Sequence, residues 1–283
     1  MLIAQITDLH IGFDRGNPDE PNQERLERVL DRLIGGPNRP DLLLLTGDLT
    51  EFGDAESYRR IADSVARCPF PVWPMMGNHD LRAPLLKALP DTPSQGGFVH
   101  YALSLDGLRL ILLDTTQEGR HGGAFCAARA QWLSDELAAH PDTPTVIAMH
   151  HPPVETGIAW MDVGQSEAWI ARFAAAIADH RQVQAILSGH LHRNILTLWN
   201  GAALAVCAST APQAALDLNS SNPDQPDGRP MIVAEPPAYA LHRWDGQRLV
   251  SHSEAVGDFP VLARFDAAMQ PVVRLIDGER GTS

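Results

Sequence analysis

Pro71-Val72-Trp73-Pro74-Met75-Met76 runs directly into Gly77-Asn78-His79-Asp80. Val72, Trp73, Met75 and Met76 read as a buried strand, and Gly77 breaks it. The next three side chains can bind metal, donate hydrogen bonds or transfer protons. Such a cluster just past a strand's carboxyl end is where an α/β sheet places its chemistry. A turn after a strand also favours Gly, Asn and Asp for backbone reasons alone. The meaning of the four residues therefore depends on what surrounds them.

Upstream, Leu2–Ile6 reads as a strand ending in Thr7-Asp8-Leu9-His10. Alternate residues of an extended segment share a face, so Asp8 and His10 can point to one ion. Residues 12–21 are rich in Gly, Asn, Asp and Pro and read as loop. A helix from Asn22 to Ile34 carries Leu26, Val29, Leu30, Leu33 and Ile34 on one stripe. Gly35-Gly36-Pro37 stops it. Leu42–Leu45 is a continuous apolar run, as in a strand buried on both faces, and it ends in Thr46-Gly47-Asp48. A second helix from about Ala55 to Arg67 leads into the strand before Gly77. The order strand, helix, strand, helix, strand implies parallel pairing with right-handed crossovers. Asp8, Asp48 and Asn78 then all close neighbouring parallel strands at the same end.

Downstream, Leu81–Gln95 carries Pro84, Pro90 and Pro93 and reads as irregular. Phe98–Leu105 and Leu108–Asp114 are strands joined at Asp106-Gly107, a two-residue hairpin signal. A helix spans about Ala127–His140, and a strand over Thr145–Met149 ends in His150-His151-Pro152-Pro153. A further helix over Gly164–His180 precedes the strand Gln184–Leu187, which ends in Ser188-Gly189-His190-Leu191-His192. Two hairpins follow, around Asn200-Gly201 and Asp245-Gly246. Between them, Asn, Asp, Ser and Pro dominate from Pro212 to Pro237, giving a long loop. The expected partition is a core over residues 1–211 and a C-terminal loop and hairpin extension over residues 212–283 that packs on it.

Composition narrows the function. With 22 basic against 35 acidic residues the formal charge is −13, which opposes attraction to nucleic acid polymers and anionic membranes. No apolar run reaches the length of a membrane span, and no basic, signal-like region precedes the strand at Leu2. Cys68, Cys126 and Cys207 are odd in number and widely spaced, as expected of reduced thiols in a cytoplasmic protein.

Collected together, the strand ends hold Asp8, His10, Asp48, Asn78, His79, His150, His190 and His192. A lone histidine is usually an ordinary surface or core residue, and His100, His121, His140, His180, His242 and His252 are read that way. So many polar groups are costly to gather unless a cation compensates them. Carboxylate, imidazole and amide oxygen without thiolate suit Mn, Fe or Zn. The donors exceed what one ion needs, and two divalent ions sharing a carboxylate fit displacement at phosphorus.

Asp8-x-His10, Gly47-Asp48, Gly77-Asn78-His79-Asp80, His150 and Gly189-His190-x-His192, in that order, resemble the five-part signature of the calcineurin-like metallophosphoesterases. The Asp-x-His start, the Gly-Asn-His-Asp block and Met149-His150-His151-Pro152 resemble the class III cyclic nucleotide phosphodiesterase branch, which includes bacterial glycerophosphodiesterases. After Asp48 the chain reads Leu-Thr-Glu-Phe-Gly, unlike the Asp-Arg-Gly of Ser/Thr protein phosphatases, which argues against phosphoprotein substrates. The resemblance implies a four-layer αββα sandwich with the metals at the strand ends. It implies that Asp8, His10 and His192 hold one ion, that Asn78, His150 and His190 hold the other, and that Asp48 bridges them. His79 would face the substrate and assist the leaving oxygen, with Asn78 and His151 also placed toward the substrate. The implied enzyme hydrolyses a small phosphodiester, a cyclic nucleotide such as cAMP or a glycerophosphodiester, using hydroxide made between the ions. A phosphomonoesterase on the same site and an inactive binding module are the competing expectations. The C-terminal extension is a candidate cap or homo-oligomer contact.

Overall fold

The computed structural model describes every residue except Pro18, Val163, Gln165 and Gly281–Ser283. The first half alternates as expected: β1 (Leu2–Ile6), α1 (Pro21–Gly35), β2 (Leu42–Leu45), α2 (Ala55–Val65) and β3 (Val72–Pro74). Pro21 starts α1 at a position whose N–H has no helical partner anyway. Asp54 caps α2 by accepting from Ser57 N at 3.0 Å. A short helix, α3 (Arg82–Ala88), then occupies a stretch the sequence reads as irregular. Pro84 is its third residue, within the first turn, where a missing N–H costs no hydrogen bond.

The second half runs β4 (Tyr101–Leu105), β5 (Leu108–Leu113), α4 (Ala127–Ala138), β6 (Thr145–Met149), α5 (Ala168–Ile177) and β7 (Val183–Ser188). The expected start of α5 near Gly164 includes Gln165, which lies outside the described residues. Then come β8 (Ile195–Trp199), β9 (Ala202–Val206), β10 (Gln213–Ala214), β11 (Ile232–Val233), β12 (Ala238–Trp244), β13 (Leu249–Ala255) and α6 (Gln270–Gly278). The long 212–237 stretch is loop apart from the two-residue ladder of β10 with β11.

Two main sheets form, with strand orders β13-β12-β1-β2-β3 and β4-β5-β6-β7-β9-β8. β1, β2 and β3 pair in parallel, as do β5, β6 and β7. The C-terminal hairpin enters the first sheet, where β12 lies antiparallel to β1.

Alternation along the central strands explains the layering. Leu110 and Leu112 of β5, Val146 and Ala148 of β6, and Ala185 and Leu187 of β7 join one core with Ile3, Leu43 and Leu45 of the first sheet. That core also takes Leu26, Leu30, Tyr58 and Ile61 from α1 and α2. The intervening Ile111, Leu113, Ile147, Met149 and Ile186 point the other way, into Leu133, Leu137, Trp169 and Phe173 of α4 and α5. Strands covered on both faces need apolar residues at every position, which is why they read as unbroken hydrophobic runs. Helices therefore flank both sheets in four layers. The carboxyl ends of β1, β2, β3, β6 and β7 are the edge from which the polar blocks emerge.

Candidate metal centre

The chain leaves β1, β2 and β7 in left-handed kinks. Asp8, His10, Asp48, His190 and His192 have φ of +51°, +47°, +47°, +73° and +51°. Among the described residues, the sole other non-glycine with positive φ is Asn200, in a hairpin turn. Such backbone is uncommon outside glycine and clusters at functional sites. Loop-to-loop hydrogen bonds hold it here: Asp8 N donates to Gly47 O (3.0 Å), His10 N to Asp48 O (3.0 Å) and Gly189 N to His150 O (3.1 Å). The carboxylate of Asp8 in turn accepts from His190 N at 2.9 Å, tying the two sheets together. Gly189 is required by this approach, since a Cβ there would overlap the Thr7 hydroxyl.

Four histidine rings are oriented from behind by Nδ1. His10 Nδ1 donates to Glu51 Oε2 (2.6 Å) and His192 Nδ1 to the carbonyl of Pro212 (2.8 Å). His150 Nδ1 donates to the carbonyl of Thr46 (2.8 Å) and His79 Nδ1 to that of Glu51 (2.9 Å). Each ring thereby turns its Nε2 forward, where it can hold a proton or a cation. His10 Nε2 and His192 Nε2 lie 3.2 Å apart. Asp8 Oδ1 is 3.4 Å from His192 Nε2, and Asp48 Oδ2 is 3.7 Å from His10 Nε2. Acceptors facing acceptors at these separations repel unless a proton or a metal cation sits among them.

On the other side of Asp48, His150 Nε2 stands 3.2 Å from Asp48 Oδ2, without hydrogen-bond geometry. His150 Nε2, His190 Nε2 and Asn78 Oδ1 are buried and lack a hydrogen-bond partner. They are three of the expected donors, left unsatisfied by the protein itself. Asp8, His10 and His192 form one compact donor group and Asp8, Asp48 and His150 another, each with ligand atoms within 4.8 Å of one another. The buried, unsatisfied donors and their chemistry fit divalent cations.

Electrostatics agree. Burial alone would raise the Asp48 carboxyl, but the charges of His150, His10 and His79 hold it well below the usual range. Burial alone would lower His150, yet Asp48 and Asp8 push it up to about 9. His10 is likewise raised against its burial by Glu51, Asp48 and Asp8. Burial, with the neighbouring His151 and His150, drives His190 well below its ordinary value.

Asp80, in the same tetrad as Asn78 and His79, turns away from this centre. It accepts from Gly77 N, Leu49 N, Thr50 N and the Tyr58 hydroxyl, and so fixes the loops bearing Asp48 and Asn78. His151 is buried, and both of its ring nitrogens are engaged, with the Thr115 hydroxyl and the His121 carbonyl. His121 is a residue that sequence reasoning passed over. Its ring lies 4.9 Å from that of His190, and its Nδ1 is 3.2 Å from Asn78 Nδ2. It belongs to an irregular loop outside every motif, so spacing gave no signal for it. The loop is held by Asp114, which pairs with Arg82 at 2.8 Å and lies 3.5 Å from Arg129.

Residues 1–194 match the family described as calcineurin-like phosphoesterase. The chain belongs to that family. Calcineurin-like phosphoesterases use divalent metals at a dinuclear site, and this chain carries the donor groups for one. It is 32% identical over 266 residues to a probable glycerophosphodiester phosphodiesterase GpdQ of Arcobacter nitrofigilis, spanning 92% of this chain and 94% of the relative. It is 35% identical over 242 residues to a probable cyclic nucleotide phosphodiesterase of a Synechococcus species, spanning 83% and 88%. A dimetal phosphatase from Danio rerio, 14% identical, shares the calcineurin-like fold with a TM-score of 0.64 over 91% of this chain and 97% of its own. No helix among the described residues is long and apolar enough to cross a membrane.

Proposed function

We propose that the protein is a metal-dependent hydrolase of small phosphodiesters, acting on a cyclic nucleotide such as cAMP or on a glycerophosphodiester. The observation that carries this reading is the convergence of Nε2 lone pairs from His10 and His192 on the carboxylates of Asp8 and Asp48. The names of the relatives, glycerophosphodiester and cyclic nucleotide phosphodiesterases, support the substrate class. Asp8, His10 and His192 would hold one divalent ion, Asn78, His150 and His190 a second, and Asp48 both. Mn, Fe and Zn, alone or mixed, suit the donor set. When bound, the pair activates water at neutral pH and offsets the charge of the diester.

The remaining work falls to the chain's own residues. His79 is part-exposed, with Nδ1–H committed to the Glu51 carbonyl, so its imidazolium form presents Nε2–H to the leaving oxygen and can give up that proton. Asn78 Nδ2 and His121, at the open side of the centre, are placed to contact a substrate oxygen. His151 steadies the His121 loop from beneath. The formal charge of −13 disfavours nucleic acid polymers as substrates. A cytoplasmic location and self-association through the C-terminal extension complete the proposal.

Turnover of bis(p-nitrophenyl) phosphate and p-nitrophenyl phosphate, each with added Mn²⁺, tests it. Faster cleavage of the diester is expected; a clear preference for the monoester would replace the diesterase with a phosphomonoesterase. A panel of cyclic nucleotides and glycerophosphodiesters would then identify the natural class.

A further inference from the structure

Glu51 opens the Glu-Phe-Gly sequence that follows Asp48-Leu49-Thr50, and its side chain belongs to no proposed ligand set. Its carboxylate accepts from His10 Nδ1 at 2.6 Å. The Nδ1 atoms of His150 and His192 are held by the neutral carbonyls of Thr46 and Pro212. Among these three rings, His10 alone is backed by a negative charge. The other carboxylate oxygen of Glu51 lies 3.7 Å from His79 Nδ1. Among the described residues Glu51 pairs with no lysine or arginine, so no fixed cation draws its charge away.

We infer that Glu51 is a positioning residue that makes the Asp8–His10–His192 position the tighter of the two cation sites. The inference rests on the metal reading above. A carboxylate behind an imidazole fixes the ring's orientation and tautomer and makes the forward nitrogen a stronger donor, which a neutral carbonyl does less. Both positions share Asp48, and the first already has the Asp8 carboxylate where the second has the Asn78 amide; Glu51 adds a further negative charge on the same side. Glu51 also couples this site to the catalytic side. Its backbone carbonyl holds His79, and that contact survives any substitution of the side chain.

The test uses full-length protein loaded with Mn²⁺, challenged with graded EDTA, with retained ions counted by mass spectrometry and folding followed by circular dichroism. Wild type is expected to release its two ions at separated EDTA concentrations. In Glu51→Ala the later-released ion should come off at roughly 10–100-fold lower chelator, while the earlier one keeps its midpoint. Glu51→Gln, whose amide oxygen still accepts from Nδ1 but carries no charge, should fall between. Identical release curves for all three proteins would overturn the role of Glu51 and leave the metal reading standing. Equal weakening of both ions in Glu51→Ala would assign Glu51 to general loop structure and overturn the inference. A wild-type protein that retains none of Mn²⁺, Fe²⁺ and Zn²⁺, each loaded in turn, would overturn the metal reading, and the inference with it.

Discussion

At the scale of single residues, the centre combines strained backbone with acceptors that point at one another. Left-handed non-glycine residues cost of order 1–3 kcal/mol each, and five of them surround this site. The fold tolerates them because they aim Asp8, His10, Asp48, His190 and His192 inward. Protons take the place of cations when no metal is bound. His150 is pushed up to about 9 from an ordinary 6.5, so metal-free protein carries that proton at pH 7.5. Its folded value lies above its unfolded value. The stability it contributes is therefore full below pH 6.5 and lost as pH rises through about 9. An incoming cation must displace the same proton, so apparent Mn²⁺ affinity should rise with pH between 6.5 and 9. Calorimetry in buffers of different ionisation enthalpy reads this directly as proton release; affinity and heat that stay flat across that interval would contradict it. His79 offers a contrasting case, because its ring is held by a backbone carbonyl and belongs to no proposed ligand set. His79→Ala should keep its metal content while kcat falls by about 10²–10⁴. Wild-type turnover in that variant would remove His79 from the reaction.

At the scale of elements, helix α2 does more than cover the sheet. Its Tyr58 is fully buried; the hydroxyl donates to Asp80 Oδ1 at 2.8 Å and accepts from Leu81 N at 2.9 Å. Tyr58→Phe removes both bonds and leaves a buried carboxylate short of one donor. It should lower unfolding free energy by about 1.5–3 kcal/mol. Asp80 would keep its bonds from Gly77, Leu49 and Thr50, so two-metal binding should survive. Denaturant unfolding with parallel metal analysis checks both halves. The same elements show how much could be read from sequence. The βαβαβ order was legible because Leu42–Leu45 is apolar throughout and α1 and α2 carry a clear helical stripe, both direct consequences of burial geometry. Strand-end donors were legible because parallel strands put their carboxyl ends on one side. Helix α3 was missed because Pro84 suggests loop, although proline is harmless in a first turn. His121 was missed because its place depends on the buried Asp114 and His151 contacts, which no local pattern encodes. The left-handed kinks were equally invisible, since Asp and His, though enriched there, have negative φ at most positions and do not by themselves mark such backbone.

At the scale of the whole molecule, every proposed ligand lies within residues 8–192, and the C-terminal stretch has a different character. β12 and β13 are integral to the first sheet, but beyond Val256 none of the described residues is buried. Phe259, Val261, Leu262 and Phe265 are 63%, 62%, 93% and 86% exposed. Helix α6 follows with Val272, Leu275 and Ile276 also open to solvent. A nine-residue helix is marginal by itself in water and draws its stability from packing an apolar face. Exposed apolar groups on this scale mark a contact surface. The edge strand β8 adds Leu196 and Leu198, 78% and 80% exposed, at the open side of the second sheet. Pairing of two copies through these segments would cover both sets, as the proposed self-association requires. Light scattering after size-exclusion chromatography should therefore give a mass above 30.8 kDa for the full chain, at a multiple of it. Deleting residues 257–283 should return the protein to a single copy while leaving its two-metal content intact, because no proposed ligand lies in that stretch. A full-length protein that elutes as one copy at high concentration would show that this arm serves some other surface. Loss of metal on truncation would instead tie the arm to the folding of the core.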